Sequence, residues 1–312
     1  MRDSVLVLGY HRVAKVRDDP YRLCVQPSFF AEQLEVLRHS TRVIDLETLR
    51  QGLLHGSLPR RAVAITFDDG YADAFHAARP LLEKYDLPAT VFMVSGACGR
   101  EFWWDRLRRL ICSPPLLPEN LELYVGIKVV RWSLFENGLP SIRKKRVSPR
   151  RRLQQALYSS LKTQPHQERT AVLDQLQKWV ETASSPGPIE ARGMTSAELQ
   201  TLSDGGLIAI GAHTVFHEPL ASLSTEAQKK QIALSKVALT NIVQKPVDFF
   251  SYPHGFASAD TRQLVQQSGF QLACASHGGA VHKRCDPFDL PRFWLPDWNG
   301  EQFARWLHRW FR

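Results

Sequence analysis

The chain has 312 residues, with 40 Lys and Arg against 31 Asp and Glu, a formal net charge of +9. Hydrophobic residues make up 44%, including 8 Trp and 16 Phe, so there is ample surface to bury and a disordered chain is excluded. No apolar run approaches the ~18 residues of a spanning helix, and five scattered cysteines without a C-x-x-C pair read as reduced thiols, not a disulfide frame.

From the N-terminus, MRDSVLVLGYHRV has too short an apolar stretch for a secretory signal, so the expected location is cytoplasmic, with peripheral attachment to the inner membrane face left open. Strands are predicted at Val5–Leu8, Arg42–Ile44, Ala62–Phe67, Ala89–Val94, Leu207–Gly211, Asp248–Tyr252 and Gln271–Ala275. Between them lie amphipathic helices. Phe30, Leu34 and Leu37 share one face after a predicted N-cap at Ser28, and Phe75, Ala78, Leu82 and Tyr85 share another. Thr195 with Glu198, and Thr225 with Gln228, have the spacing of capping boxes. Alternating helices and continuously apolar strands define an α/β chain with a parallel sheet, and seven strands favour an incomplete barrel over a flat doubly wound sheet. No Gly-rich phosphate loop follows any strand, which removes the main support for nucleotide binding.

The alternation breaks between Gly99 and Gly193. This stretch holds FWWDRL (Phe102–Leu107), a Pro-rich segment at Ser113–Pro118, a basic run at Arg143–Arg152, a helical pattern from Leu153 to Val180, and SSPGP at Ser184–Pro188. We read residues 1–312 as one barrel domain with a large, mostly helical insertion at about 99–193.

Two segments carry chemistry. AITFDDGYADAF places Asp68 and Asp69 where an apolar strand ends, and two adjacent carboxylates are favourable when a cation sits beside them. The plainer alternative is an Asp-Asp-Gly turn that caps the next helix. GAHTVFHEPL places His213 and His217 at i and i+4, which on a helical turn puts both imidazoles on one face. Glu218 lies outside the pair, so the H-E-x-x-H protease pattern fails. Two imidazoles and one carboxylate form a three-ligand site with a position open for water, and the remaining carboxylate can act as base on that water.

TFDDG, H-T-x-x-x-H and FSYPHG (Phe250–Gly255) together resemble successive motifs of the polysaccharide deacetylases, carbohydrate esterase family four. The resemblance implies a distorted (β/α)7 barrel that hydrolyses acetyl groups from N-acetylated sugars of a polysaccharide or glycolipid. It implies Asp68 as catalytic base, and Asp69, His213 and His217 as ligands of a divalent metal, zinc first, with Co2+, Ni2+ or Mn2+ as alternatives. The backbone N–H of His254 would hold the oxyanion, with Tyr252 and Arg292 on the substrate side. The third motif departs from the family's common form, with Ser251 where an Arg usually precedes the proline by two residues; Arg292 in LPRF is the candidate substitute. LGYHRV resembles the N-terminal motif of circularly permuted, exopolysaccharide-type members and implies His11 as general acid.

Trp103 and Trp104 are expected to anchor the insertion on the barrel, with stacking on sugar as the alternative. The basic run 143–152 is either a solvated loop or a contact for an anionic surface, and it lacks the interleaved aromatics of a nucleic-acid site, so no nucleic-acid partner is expected. In the tail, Phe303, Trp306, Leu307, Trp310 and Phe311 form one face. Packing on the barrel is preferred for residues 300–312 over peripheral membrane contact. Rival functions are a non-catalytic carbohydrate-binding relative, an O-acetyl esterase, and a membrane- or nucleic-acid-binding protein driven by its charge.

Overall fold

The computed structural model describes residues 4–126, 128–134 and 148–311. The chain divides into two compact units, one formed by Met1–Arg100 with Gly193–Arg312 and the other by Glu101–Arg192.

The first unit is a parallel β/α barrel. Its ring strands, numbered here in chain order, are β1 (Ser4–Tyr10), β2 (Ala62–Phe67), β3 (Ala89–Met93), β4 (Ile208–Ala212), β5 (Phe249–Ser251), β6 (Leu272–Cys274) and β7 (Phe293–Trp294). Each pairs in parallel with the next from β1 to β6. The ring is completed by the last segment: Leu290 bridges Cys274 of β6, and Phe293–Trp294 pair with Leu8–Gly9 of β1. Both faces of β1, β2 and β3 are buried, which is why these strands are apolar throughout and do not alternate.

The strand expected at Arg42–Ile44 exists as Arg42–Val43, but it pairs beside the start of β2 and is not a ring member. The seventh place in the ring is taken instead by β7, with the bridge at Leu290 just before it. Helix starts also differ in two places. Helix Pro27–Ser40 begins with Pro27 at its first position and Gln26 as N-cap, ahead of Ser28. Helix Thr225–Val243 is capped by Ser224, which accepts from Ala227 N–H, so Thr225 is inside it. The Thr195–Glu198 capping box forms as expected.

In the second unit the pattern from Leu153 to Val180 is two helices, Pro149–Leu161 and His166–Glu181, because Pro165 cannot continue the first. An antiparallel hairpin, Asn120–Val125 with Lys128–Ser133, was not expected from the sequence. Leu121, Leu123, Leu153, Leu157, Val172, Leu173 and Leu176 form its core. Trp103 belongs to this unit, stacked on Tyr158 at 5.2 Å with the Arg169 guanidinium 5.2 Å from its ring, so it is spent inside the insertion. The insertion leaves and returns at one point of the barrel unit, where Gly193 N–H donates to Arg100 C=O at 2.9 Å.

Helix Gly300–His308 buries Phe303 and Leu307, and Trp306 and Trp310 pack on Phe293. The aromatic face therefore packs on the barrel, the preferred of the two expectations for this tail. Of the basic run, Arg143–Val147 lies outside the described residues, while Arg150 donates to the carbonyls of Pro114 and Pro115. Among the described residues no helix is long and apolar enough to cross a membrane.

Candidate active site

The C-terminal ends of the ring strands gather the polar residues that the apolar strands cannot hold. Asp68 and Asp69 follow β2, His213 follows β4, Ser251 ends β5, and His11 follows β1. Asp68, Asp69, His213 and Ser251 are each 3% exposed or less. Burying two carboxylates side by side is costly unless each has its own charged or hydrogen-bonding partner. Here the two are divided between different partners.

Asp68 is held by Arg292. The guanidinium donates Nη1–H to Oδ1 at 2.7 Å and Nη2–H to Oδ2 at 2.8 Å, a bidentate pair, while Nε–H donates to Ala275 C=O. Ser251 Oγ–H donates to Asp68 Oδ2 at 2.9 Å and accepts from Arg292 Nη2 at 2.8 Å. Burial would raise the Asp68 carboxyl, but the Arg292 guanidinium outweighs it and holds it well below the usual carboxylate range. Arg292, the residue before β7, thus reaches Asp68, and the small Ser251 leaves room for it.

Asp69 turns to the histidines. It has φ 68°, and its Oδ1 lies 3.4 Å from His217 Nε2 and 3.7 Å from His213 Nε2. One donor atom from each of Asp69, His213 and His217 falls within 4.8 Å of the others. Tetrahedral ligands at metal distances of about 2.0–2.2 Å are roughly 3.3–3.6 Å apart, so the set is close to the spacing one ion requires. His213 Nδ1–H donates to Ser251 C=O at 2.7 Å, which leaves the Nε2 lone pair directed at the cluster. Burial also lowers the His213 pKa, against the pull of Asp68, and keeps the imidazole neutral as a ligand must be. The donor set and its protonation fit a divalent metal.

The two histidines converge without a helix. Residues 213–217 form a loop with Thr214 at φ 65° and His217 at φ 53°. Gln231 Oε1 accepts from Val215 and Phe216 N–H, Thr214 Oγ1 accepts from His217 N–H, and Ser95 N–H donates to Thr214 C=O. The helical turn expected from the i, i+4 spacing is replaced by this pinned loop. Gly70, after the paired carboxylates, is required by its φ of 75° and by Met93, whose Sδ would lie 2.1 Å from an added Cβ.

The remaining expected residues divide. His11 stacks on Trp294 at 4.4 Å, and burial pushes its pKa down to about 4 against the pull of Asp68. His254 sits in the turn Pro253–Gly255 at φ 61°, its ring 4.7 Å from the His217 ring. Tyr252 is the exception on the substrate side. Its ring is fully buried against Phe250 and its hydroxyl donates to Phe288 C=O at 2.8 Å, so the side chain serves the core. Ser251, known from the sequence only as the place of a missing arginine, is the residue that reasoning from motifs overlooked.

A parallel barrel with buried carboxylates and imidazoles at its C-terminal rim has the arrangement in which barrel enzymes gather their reactive groups. The polysaccharide deacetylase profile matches residues 55–114 and 155–273, more than half of the chain, and the chain belongs to that family. A poly-beta-1,6-N-acetyl-D-glucosamine N-deacetylase of Staphylococcus aureus is 31% identical over 112 residues; the match spans 32% of this chain and about two fifths, 39%, of that relative's length. Among solved structures, the Streptococcus pyogenes deacetylase PplD, in complex with acetate, superposes with a TM-score of 0.61 at 17% identity over 98% of each chain. IcaB from Ammonifex degensii gives 0.61 at 18% identity, covering 98% of this chain and 97% of its own. At these identities the structural likeness speaks for the fold.

Proposed function

We propose that this protein removes acetyl groups from N-acetylated sugars of a polysaccharide, with a divalent metal held by Asp69, His213 and His217. The observation that carries the reading is the division of labour between adjacent carboxylates, one beside two imidazoles and the other held in a bidentate pair by Arg292. A divalent ion supplies Lewis acidity, lowering the pKa of water and polarising an acyl oxygen; zinc suits this ligand set best.

The chain's own residues do the rest. Asp68 is ionised and oriented by Arg292 and Ser251, and it accepts the proton of the attacking water. The backbone N–H of His254 is the candidate donor to the oxyanion, since a main-chain donor works whatever the side chain. An amine leaves only when protonated, and His11 is the candidate donor. It rests neutral, so the proton it hands to the amine is the one released by the attacking water and first taken by Asp68, whose nearby charge favours the imidazolium.

The test is acetate release from N-acetylglucosamine oligomers by zinc-loaded protein. Asp68→Asn is expected to lower kcat by ~100-fold or more, and equal activity in the two would remove the assigned base. His11→Asn is expected to slow amide cleavage far more than cleavage of an activated acetate ester, whose leaving group needs no proton. Equal losses on both would move the acid elsewhere.

A further inference from the structure

Beside His11 lies a cavity of about 570 Å3, within the ~300–1,000 Å3 range of ligand pockets. Its walls are the segment between the short strands Arg12–Val13 and Cys24–Val25, and the residues that follow β7. Ala14 comes three residues after His11, and Pro296 two residues after Trp294, the ring on which His11 stacks. Both stretches follow the C-terminal ends of ring strands, as the candidate site residues do, and the charge of Asp19 on the lining reaches His11.

Its charged groups are not equivalent. Asp19 accepts from Leu23 N–H at 3.0 Å and from Cys24 N–H at 2.8 Å, one bond per carboxylate oxygen. Asp297 accepts from Gln26 N–H at 2.9 Å and from its side-chain amide at 3.1 Å. Both acids are thus committed to holding the walls. Lys15 and Arg22 are exposed cations lining the same space. Arg22 also has φ 55°, a left-handed conformation that costs a non-glycine residue energy and is retained where the surrounding structure fixes it. The two carboxylates keep their charge, but each of their oxygens already holds an N–H, and the charged donors on the lining are Lys15 and Arg22.

We propose that this cavity is a subsite for an anionic substituent of the glycan, such as a sugar carboxylate, bound by Lys15 and Arg22 next to the sugar being deacetylated. This rests on the deacetylase reading and adds a substrate class to it, an acidic acetylated polysaccharide. A carboxylate one sugar away would be drawn to the two cations while His11 and Asp68 act on the acetamide.

The test compares two oligomers of equal length, one of N-acetylglucosamine alone and one alternating N-acetylglucosamine with glucuronate. Equilibrium binding is measured at low salt on chelated, metal-free protein, so that no turnover intervenes. Wild type is expected to prefer the glucuronate oligomer roughly five- to tenfold, with the preference fading as salt rises. The double variant Lys15→Gln/Arg22→Asn, in which asparagine tolerates the left-handed backbone, is expected to erase that preference. Affinity for the neutral oligomer should stay within about twofold. Equal wild-type affinity for the two oligomers, or a variant that weakens both alike, overturns the subsite. Acetate release from the neutral oligomer by zinc-loaded protein is scored separately. Preference without release upholds the subsite as a glycan site and removes the deacetylase reading, and release without preference does the reverse.

Discussion

The barrel unit and the segment Glu101–Arg192 bury their side chains to different ends. The segment's core is mainly aliphatic, from Leu107 to Val180, with Gln154 and the Arg169 guanidinium as isolated buried polar groups. The barrel has an apolar body of its own, yet at the C-terminal strand ends it buries two carboxylates, two imidazoles and a guanidinium within hydrogen-bonding or near-contact distance. Polar groups of that kind are expensive to bury and add little to stability when paired. Their concentration at one end of one unit marks where chemistry was placed, while the aliphatic core marks where stability was.

That contrast can be broken most sharply at Arg292. Arg292→Met removes the bidentate counter-charge of the Asp68 carboxylate, and leaving a buried charge unpaired typically costs ~3–5 kcal/mol. Denaturant unfolding should show that loss together with a collapse of deacetylation. A variant with full stability and activity would mean the pair is ornamental. In the insertion, Leu173→Ala is expected to cost ~2–5 kcal/mol by cavity formation. Zinc affinity, measured by competition with a chromophoric chelator, should not move. If it weakens in step with stability, the two units do not divide their roles as described.

The smallest expected effect concerns pH. In the unfolded chain His11 titrates near its ordinary value of 6.5, whereas in the folded, metal-free protein burial delays protonation to about 4. The unfolded state thus binds the extra proton between those values. Stability from the neutral imidazole is fully present above pH 6.5 and is lost as pH falls toward 4. His11→Asn should flatten the fall in denaturant midpoint between pH 7 and pH 5 in the presence of chelator. An unchanged slope would place the titrating group elsewhere.

What the sequence discloses depends on how local each feature is. Asp68 and Asp69 are legible because strand, carboxylates and Gly70 are contiguous, and β1 to β3 because burial on both faces makes them continuously apolar. The closing strand is not legible. Residues 290–294 include Pro291 and Arg292, pair through a bridge at Leu290 and the two residues of β7, and have neither period nor apolar run. The break at Pro165 was available in the sequence, but the amphipathic pattern on both sides of it obscured two helices as one. At the site, residue types suggested the Asp69, His213 and His217 set, while their route together did not follow from spacing. The i, i+4 histidines meet through positive φ at Thr214 and His217 and through Gln231, which lies on another element. Ser251 and Arg292 act through tertiary contacts separated by 41 residues, which no local pattern carries.

The most direct measurement is calorimetric titration of the chelated protein with zinc, in wild type and in His213→Ala and His217→Ala. One ion per chain is expected, with affinity reduced at least ~100-fold when either imidazole is removed. Stoichiometric binding that neither substitution weakens would contradict a shared ion at Asp69, His213 and His217.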